Sequence, residues 1–143
     1  MKLSEYIFSF LMGFFLYSLV EIAGRGYTHW TMAVTGGLIL ALLYGMNRSG
    51  TLSMIRCCFA GSLLITGVEF CVGIFDNLIM HWNVWDYTDM PLNIMGQICL
   101  PFSLYWFVLC IPARVICRRI SRIFAVLPAK KQAVPNNSEQ LNY

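Results

Sequence analysis

Charge is scarce in this sequence. Only 12% of its 143 residues are Asp, Glu, Lys or Arg, against about a quarter in ordinary soluble domains. That shortage excludes a conventional water-facing surface. The excess of +3 sits at one end of the chain, which argues against nucleic acid as a partner. Catalytic signatures are missing too: there is no G-x-S-x-G, no H-E-x-x-H and no P-loop. The six cysteines (Cys57, Cys58, Cys71, Cys99, Cys110, Cys117) include no C-x-x-C pair, which removes the commonest metal and redox spacing. Most lie in apolar runs, where Cys acts as a small hydrophobe. One pairing, Cys71 with Cys99 across two helix ends, is worth checking. The loop from Asp76 to Asn93 has neither Lys nor Arg.

Long apolar runs are what the chain does have. Hydrophobic residues make up 58% and the mean hydropathy is +0.64. Runs at about 6–23, 30–46, 54–75 and 94–116 are each near the ~20 residues that cross a bilayer. The predicted fold class is therefore all-α: a polytopic membrane bundle of four transmembrane helices in a single domain, residues 1–116. The first run could be read as a cleaved signal. Its length, and the lack of a small-x-small site near Glu21, favour a retained span. Gly36-Gly37 lets a neighbouring helix come close. Pro101 and Pro112 should kink or bound the fourth helix.

Residues 117–128 read as an amphipathic helix on the membrane surface. Ile116, Ile120, Ile123, Phe124 and Leu127 fall on one face and Arg114, Arg118 and Arg122 on the other, with Arg119 beside them. Such arginines face anionic lipid; a docking face for a cytoplasmic partner is the other reading. Residues 129–143 have the composition of a disordered tail. With both termini in the cytoplasm, Lys2, Arg48, Arg56, Arg114, Arg118, Arg119, Arg122, Lys130 and Lys131 lie inside and only Arg25 outside. That bias sets the orientation. His29, Trp30, Trp82, Trp85 and Tyr87 should then mark the outer interface.

Several polar groups fall where lipid should be. Glu21 lies fifteen residues past Tyr6, and Glu69 fifteen past Met54. At 1.5 Å per residue both sit about 22 Å from the inner surface. Gln97 comes back to nearly that depth, and Arg25 shares a helix face with Glu21. Asp76 follows Glu69 on one face, Asn93 stands at the start of the returning span, and Asp86 guards the loop. A charge in the core costs about 2.5–3.5 kcal/mol on insertion scales. Two readings follow. Glu21, Arg25 and Glu69 clasp the first and third helices while Gln97 ties in the fourth, or the same residues line an outward-open site for a solute, lipid headgroup or proton. Glu69 needs Arg25, Gln97 or a proton as partner. His29, Asp76, His81, Asp86 and Asp89 show no metal-ligand spacing, so no metal and no cofactor is expected.

These residues carry a resemblance. Glu21 and Arg25, then Glu69, Gly73 and Asp76, then Trp85-Asp86-Tyr87-Thr88, then Asn93 with Gly96-Gln97-Ile98-Cys99-Leu100, and finally Trp106 resemble the putative ABC-transporter type IV family of small bacterial membrane proteins. Met95 and Pro101 depart from its pattern. The resemblance implies a permease component of the bacterial cell membrane. Lacking a Walker motif, the chain would depend on a separate ATPase subunit for hydrolysis. Four spans would need further copies, or a partner membrane subunit, to enclose a path. The alternative function is a non-transport scaffold or regulator working through the outer loop and the basic C-terminal segment. An enzyme acting on lipid or envelope substrates is a third reading without a motif behind it.

Overall fold

The computed structural model describes residues 2–48 and 50–132. Four helices in it are long and apolar enough to cross a membrane. Helix α1 runs Lys2–Arg25 and α2 runs Trp30–Arg48; α3 runs Met54–Gly73, and α4 runs Leu100–Gln132. A π-helical segment, Ile74–Ile79, prolongs α3. Two short antiparallel strands, β1 (Asn93–Ile94) and β2 (Ile98–Cys99), pair Asn93 with Cys99 and Ile94 with Ile98. The bundle thus has a hairpin end, where α1 stops and α2 starts. At the opposite, arginine end α1 starts, α2 stops and α3 starts.

Apolar pairing does little to hold helices together inside lipid, so close backbone packing has to. Helices α1 and α2 meet at glycines. A Cβ added to Gly36 would lie 2.3 Å from Tyr17 Cβ, and one added to Gly13 would lie 2.4 Å from the Gly36 carbonyl oxygen. The Gly36-Gly37 expectation is met there. Between α3 and α4 the contacts are small and polar: Ser62 Oγ donates to the Ser103 carbonyl at 2.7 Å, and Thr66 Oγ1 to Ser103 Oγ at 3.1 Å. The main core joins three helices through Leu40, Leu43, Tyr44, Cys58, Ile65, Cys110, Cys117 and Ile120. Large apolar side chains such as Phe15, Leu19, Ile55, Leu63, Leu104 and Val108 point outward, as a lipid-facing surface requires.

The structure departs from the sequence reading at the fourth span. It begins at Leu100, not Ile94, because residues 93–99 form the hairpin. Pro101 sits in the first turn of α4, where its missing N–H is not needed. Pro112 neither ends nor interrupts the helix. Residues 117–126 are not a detached surface helix either. Ile120 is buried in the core and Phe124 packs beside it, with its ring 5.7 Å from that of Phe8. The expected tail lies, from residue 133 on, outside the described residues. All six cysteines are free thiols; Cys71 is exposed and Cys99 buried.

Candidate functional site

Three carboxylates are buried near the hairpin end, and each has a different kind of partner. Glu21 forms an ion pair with Arg25, Oε1 to Nη2 at 3.2 Å, in the Glu-before-Arg order favoured at i,i+4. Its Oε2 accepts the Thr28 hydroxyl at 2.6 Å. Arg25 also donates to the Val84 carbonyl at 3.2 Å and lies over the Tyr27 ring. This charge is matched, and it ties α1 to the hairpin-end loop.

Glu69 has no such cation. The tyrosine hydroxyl of Tyr87 donates to its Oε1 at 3.1 Å, and the indole N–H of Trp106 to its Oε2 at 2.8 Å. Expected clasps from Glu69 to Arg25 or Gln97 are therefore not the ones formed; the carboxylate reaches the loop and α4 instead. Burial, with Glu69 beside it, pushes the Tyr87 phenol well above its ordinary value, so it remains a donor.

Asp76 is the most enclosed of the three, at 0% exposed. The sequence reading put it in the loop; the π-helical continuation of α3 turns it toward α2. The Thr31 hydroxyl donates to its Oδ2 at 2.6 Å. That hydroxyl has one proton, so its contact with His29 Nδ1, also 2.6 Å, must be donated by the imidazole. Asp76 Oδ1 has no hydrogen-bond partner. Among the described residues the ion pairs are Arg25–Glu21 and Arg48–Glu5, so neither Glu69 nor Asp76 belongs to one. Asp76 and Thr31 line a crevice of about 270 Å³ between α2 and α3, with Trp30, Val34, Thr35, Cys71, Val72 and Phe75 as its other walls.

Gln97, Asn93 and Asp86 knit the loop together. Asn77, which the sequence reading passed over, is the hub. It donates to the Trp85 carbonyl at 2.9 Å and to Gln97 Oε1 at 2.8 Å, and accepts from the Val84 N–H at 2.7 Å. The Trp85 indole donates to the Gln97 carbonyl at 2.9 Å. Trp85 is thus buried and is not an interfacial anchor, whereas Trp30 and Trp82 stay exposed. Gly73 gives the loop its seat: a Cβ there would lie 2.7 Å from Gln97 Oε1. Asn93 donates to the carbonyls of Thr88 and Met90, both at 2.9 Å. Asp86 is exposed and accepts from the Thr88 N–H at 2.8 Å and from its hydroxyl. Those bonds hold its carboxyl below the usual aspartate range. The possible metal ligands do not gather: among the described residues no three His, Cys, Asp or Glu side chains could hold an ion.

Another polar centre lies at the arginine end, around Glu5, which stands just before the first apolar run at 6–23. Glu5 is buried, accepts the Tyr44 hydroxyl at 2.5 Å and pairs with Arg48 at 3.1 Å. Arg114 is buried as well, and so is no part of a surface stripe. It donates to the carbonyls of Ser53 and Leu52 at 2.9 and 2.7 Å, closing the α2–α3 connection. Arg118, Arg119 and Arg122 are exposed.

Four apolar helices with ionisable groups buried between them define a multi-pass membrane protein. Its family is the one the loop signature resembled. The chain belongs to the family described as putative ABC-transporter type IV, whose model matches residues 11–135. No curated protein and no solved structure matches it.

Proposed function

We propose that the chain is a permease component of a bacterial cytoplasmic-membrane transporter, and that Asp76 is its cation- or proton-binding group. The observation that carries this reading is the carboxylate itself: fully enclosed, bound on one oxygen only, outside any ion pair, and set in the wall of the α2–α3 crevice. Ionisable residues kept at that expense inside a membrane mark ion and substrate paths. Glu69, held by two neutral donors, is the second member of the path. Glu21–Arg25 and Asn77–Gln97 are the locks that hold the helices around it. The gathering of Arg48, Arg114, Arg118 and Arg122 at the far end supports a cytoplasmic arginine end and an outward hairpin end. Further copies or a partner membrane subunit complete the path, and a separate ATPase subunit drives it.

Carbodiimide labelling in membrane vesicles from cells that make the chain with its partner subunits tests this, with proton flux followed by a pH-sensitive dye. Labelling at Asp76, together with loss of flux in an Asp76→Asn variant that still accumulates, is the expected outcome. Undiminished flux in that variant would end the proposal. One observation favours the scaffold reading: Leu92, Ile94 and Met95 stand exposed on the hairpin. A photo-crosslinker at Leu92 that gives one discrete protein adduct in cells, rather than lipid adducts, would favour it.

A further inference from the structure

The arginine end has a cavity of about 270 Å³ between α2 and α4, and its walls include Arg48, Arg118 and Arg122 with Asn47, Ser121 and Tyr44. Arg48 is neutralised by Glu5. Arg118 and Arg122 have no acidic partner; the ion pairs among the described residues are Arg25–Glu21 and Arg48–Glu5. They are four residues apart on one helix face, where like charges repel and destabilise the helix. Among the described residues no acidic side chain pairs with either, and an anion between them would offset the repulsion.

Depth identifies the anion. Arg118 and Arg122 follow Leu100 by eighteen and twenty-two residues, about 27 and 33 Å along the helix. With the start of α4 set at one edge of a hydrocarbon core ~30 Å thick, that rise brings the cavity to the opposite edge, next to the lipid phosphates. Ser121 is exposed and lines the same cavity, adding a neutral donor. Guanidinium forks match phosphate oxygens. The volume is below the range of drug-sized pockets and suits one small headgroup.

We propose that this cavity is a binding site for the phosphate of one membrane lipid, held between Arg118 and Arg122 and seated against α2. It is a defined site, not a diffuse attraction of a basic surface, and it stands independently of the transport reading. The test is a titration of short-chain phosphatidylglycerol into the full chain in neutral detergent, read by thermal shift. The Arg118→Gln/Arg122→Gln variant should bind roughly 25-fold more weakly, two charges at about a factor of five each. Arg119→Gln, whose residue is exposed but does not line the cavity, should bind as the parent does. Equal affinity in the double variant, or an equal loss in Arg119→Gln, overturns the proposal. So does inorganic phosphate that reproduces the shift, because the ligand would then be soluble. If the double variant fails to accumulate, Arg122→Gln alone carries the comparison, with a loss of about fivefold expected.

Discussion

The Thr31 hydroxyl donates to Asp76 Oδ2 at 2.6 Å across forty-five positions of sequence. It joins the start of α2 to the π-helical extension of α3 and is the only hydrogen bond the Asp76 carboxylate makes among the described residues. Thr31→Val keeps the shape of the side chain and removes the donor, which leaves both carboxylate oxygens bare. Orphaning a buried polar group costs about 1–3 kcal/mol, so the variant should lose stability on that scale in mixed-micelle unfolding. Adding Asp76→Asn should recover part of the loss, because the charge goes with it. Additive losses in the double variant would show that the two side chains are not coupled.

Glu69 should tolerate Gln better than Leu. Its two donors differ in kind: Trp106 Nε1 can only donate, whereas the Tyr87 hydroxyl can turn and accept. A glutamine can place its carbonyl on Trp106 and its amide on Tyr87, keeping both bonds. The expected cost of Glu69→Gln is under ~1 kcal/mol, while Glu69→Leu strands two donors at about 1–3 kcal/mol each. Unfolding of the two variants in the same detergent checks the order; a Gln variant as damaged as the Leu variant would refute it.

The end of the bundle where Glu21, Glu69 and Gln97 lie was legible in the sequence, and their partners were not. Counting residues along a span gives height. It does not give rotation about the helix axis, so the partner of Glu69 was sought in Arg25 and found in Trp106. The apolar run weakens at Asp76, which predicts a loop over Asp76 and Asn77. The backbone continues there as a π-helix, whose wider turn no hydropathy pattern announces. Arg114 was counted with the surface arginines by its spacing, yet the carbonyls of Leu52 and Ser53 draw it inward. Such long-range capping leaves no periodic trace.

Two glycines should respond in opposite ways to alanine. At Gly36 the new Cβ would meet Tyr17 Cβ at 2.3 Å, an atom fixed to its own backbone, so α1 and α2 would have to separate. At Gly24 nothing lies within 4 Å, and alanine gains up to ~1 kcal/mol of helix propensity. Gly36→Ala is therefore expected to lower the thermal midpoint and Gly24→Ala to keep or raise it. A Gly36→Ala variant as stable as the parent would contradict this close approach.

The hairpin turn holds Met95 at φ +54. The left-handed region costs a residue with a Cβ about 1–2 kcal/mol, and the Gln97 N–H closes the turn on the Ile94 carbonyl at 3.0 Å. Met95 is exposed, so replacing it sacrifices little packing. Met95→Gly should stabilise the loop by about 1 kcal/mol, read as slower amide exchange at Gln97. Faster exchange would mean that Met95 contributes contacts worth more than its strain.

Acid should weaken the loop at Asp86 only at low pH. Two bonds from Thr88 hold the folded carboxyl below its ordinary value, which in an unfolded chain is about 3.9. A lowered folded pKa gives stabilisation that is complete above the unfolded value and is lost as the pH falls through the folded one. The side-chain carboxyl signal of Asp86, followed by NMR in micelles, should therefore titrate below about 3.9. Thr88→Val removes the hydroxyl and keeps the backbone N–H, so the midpoint should move part of the way back up. A midpoint in the parent at or above the unfolded value would mean that Thr88 does not hold this carboxylate in the membrane-bound protein.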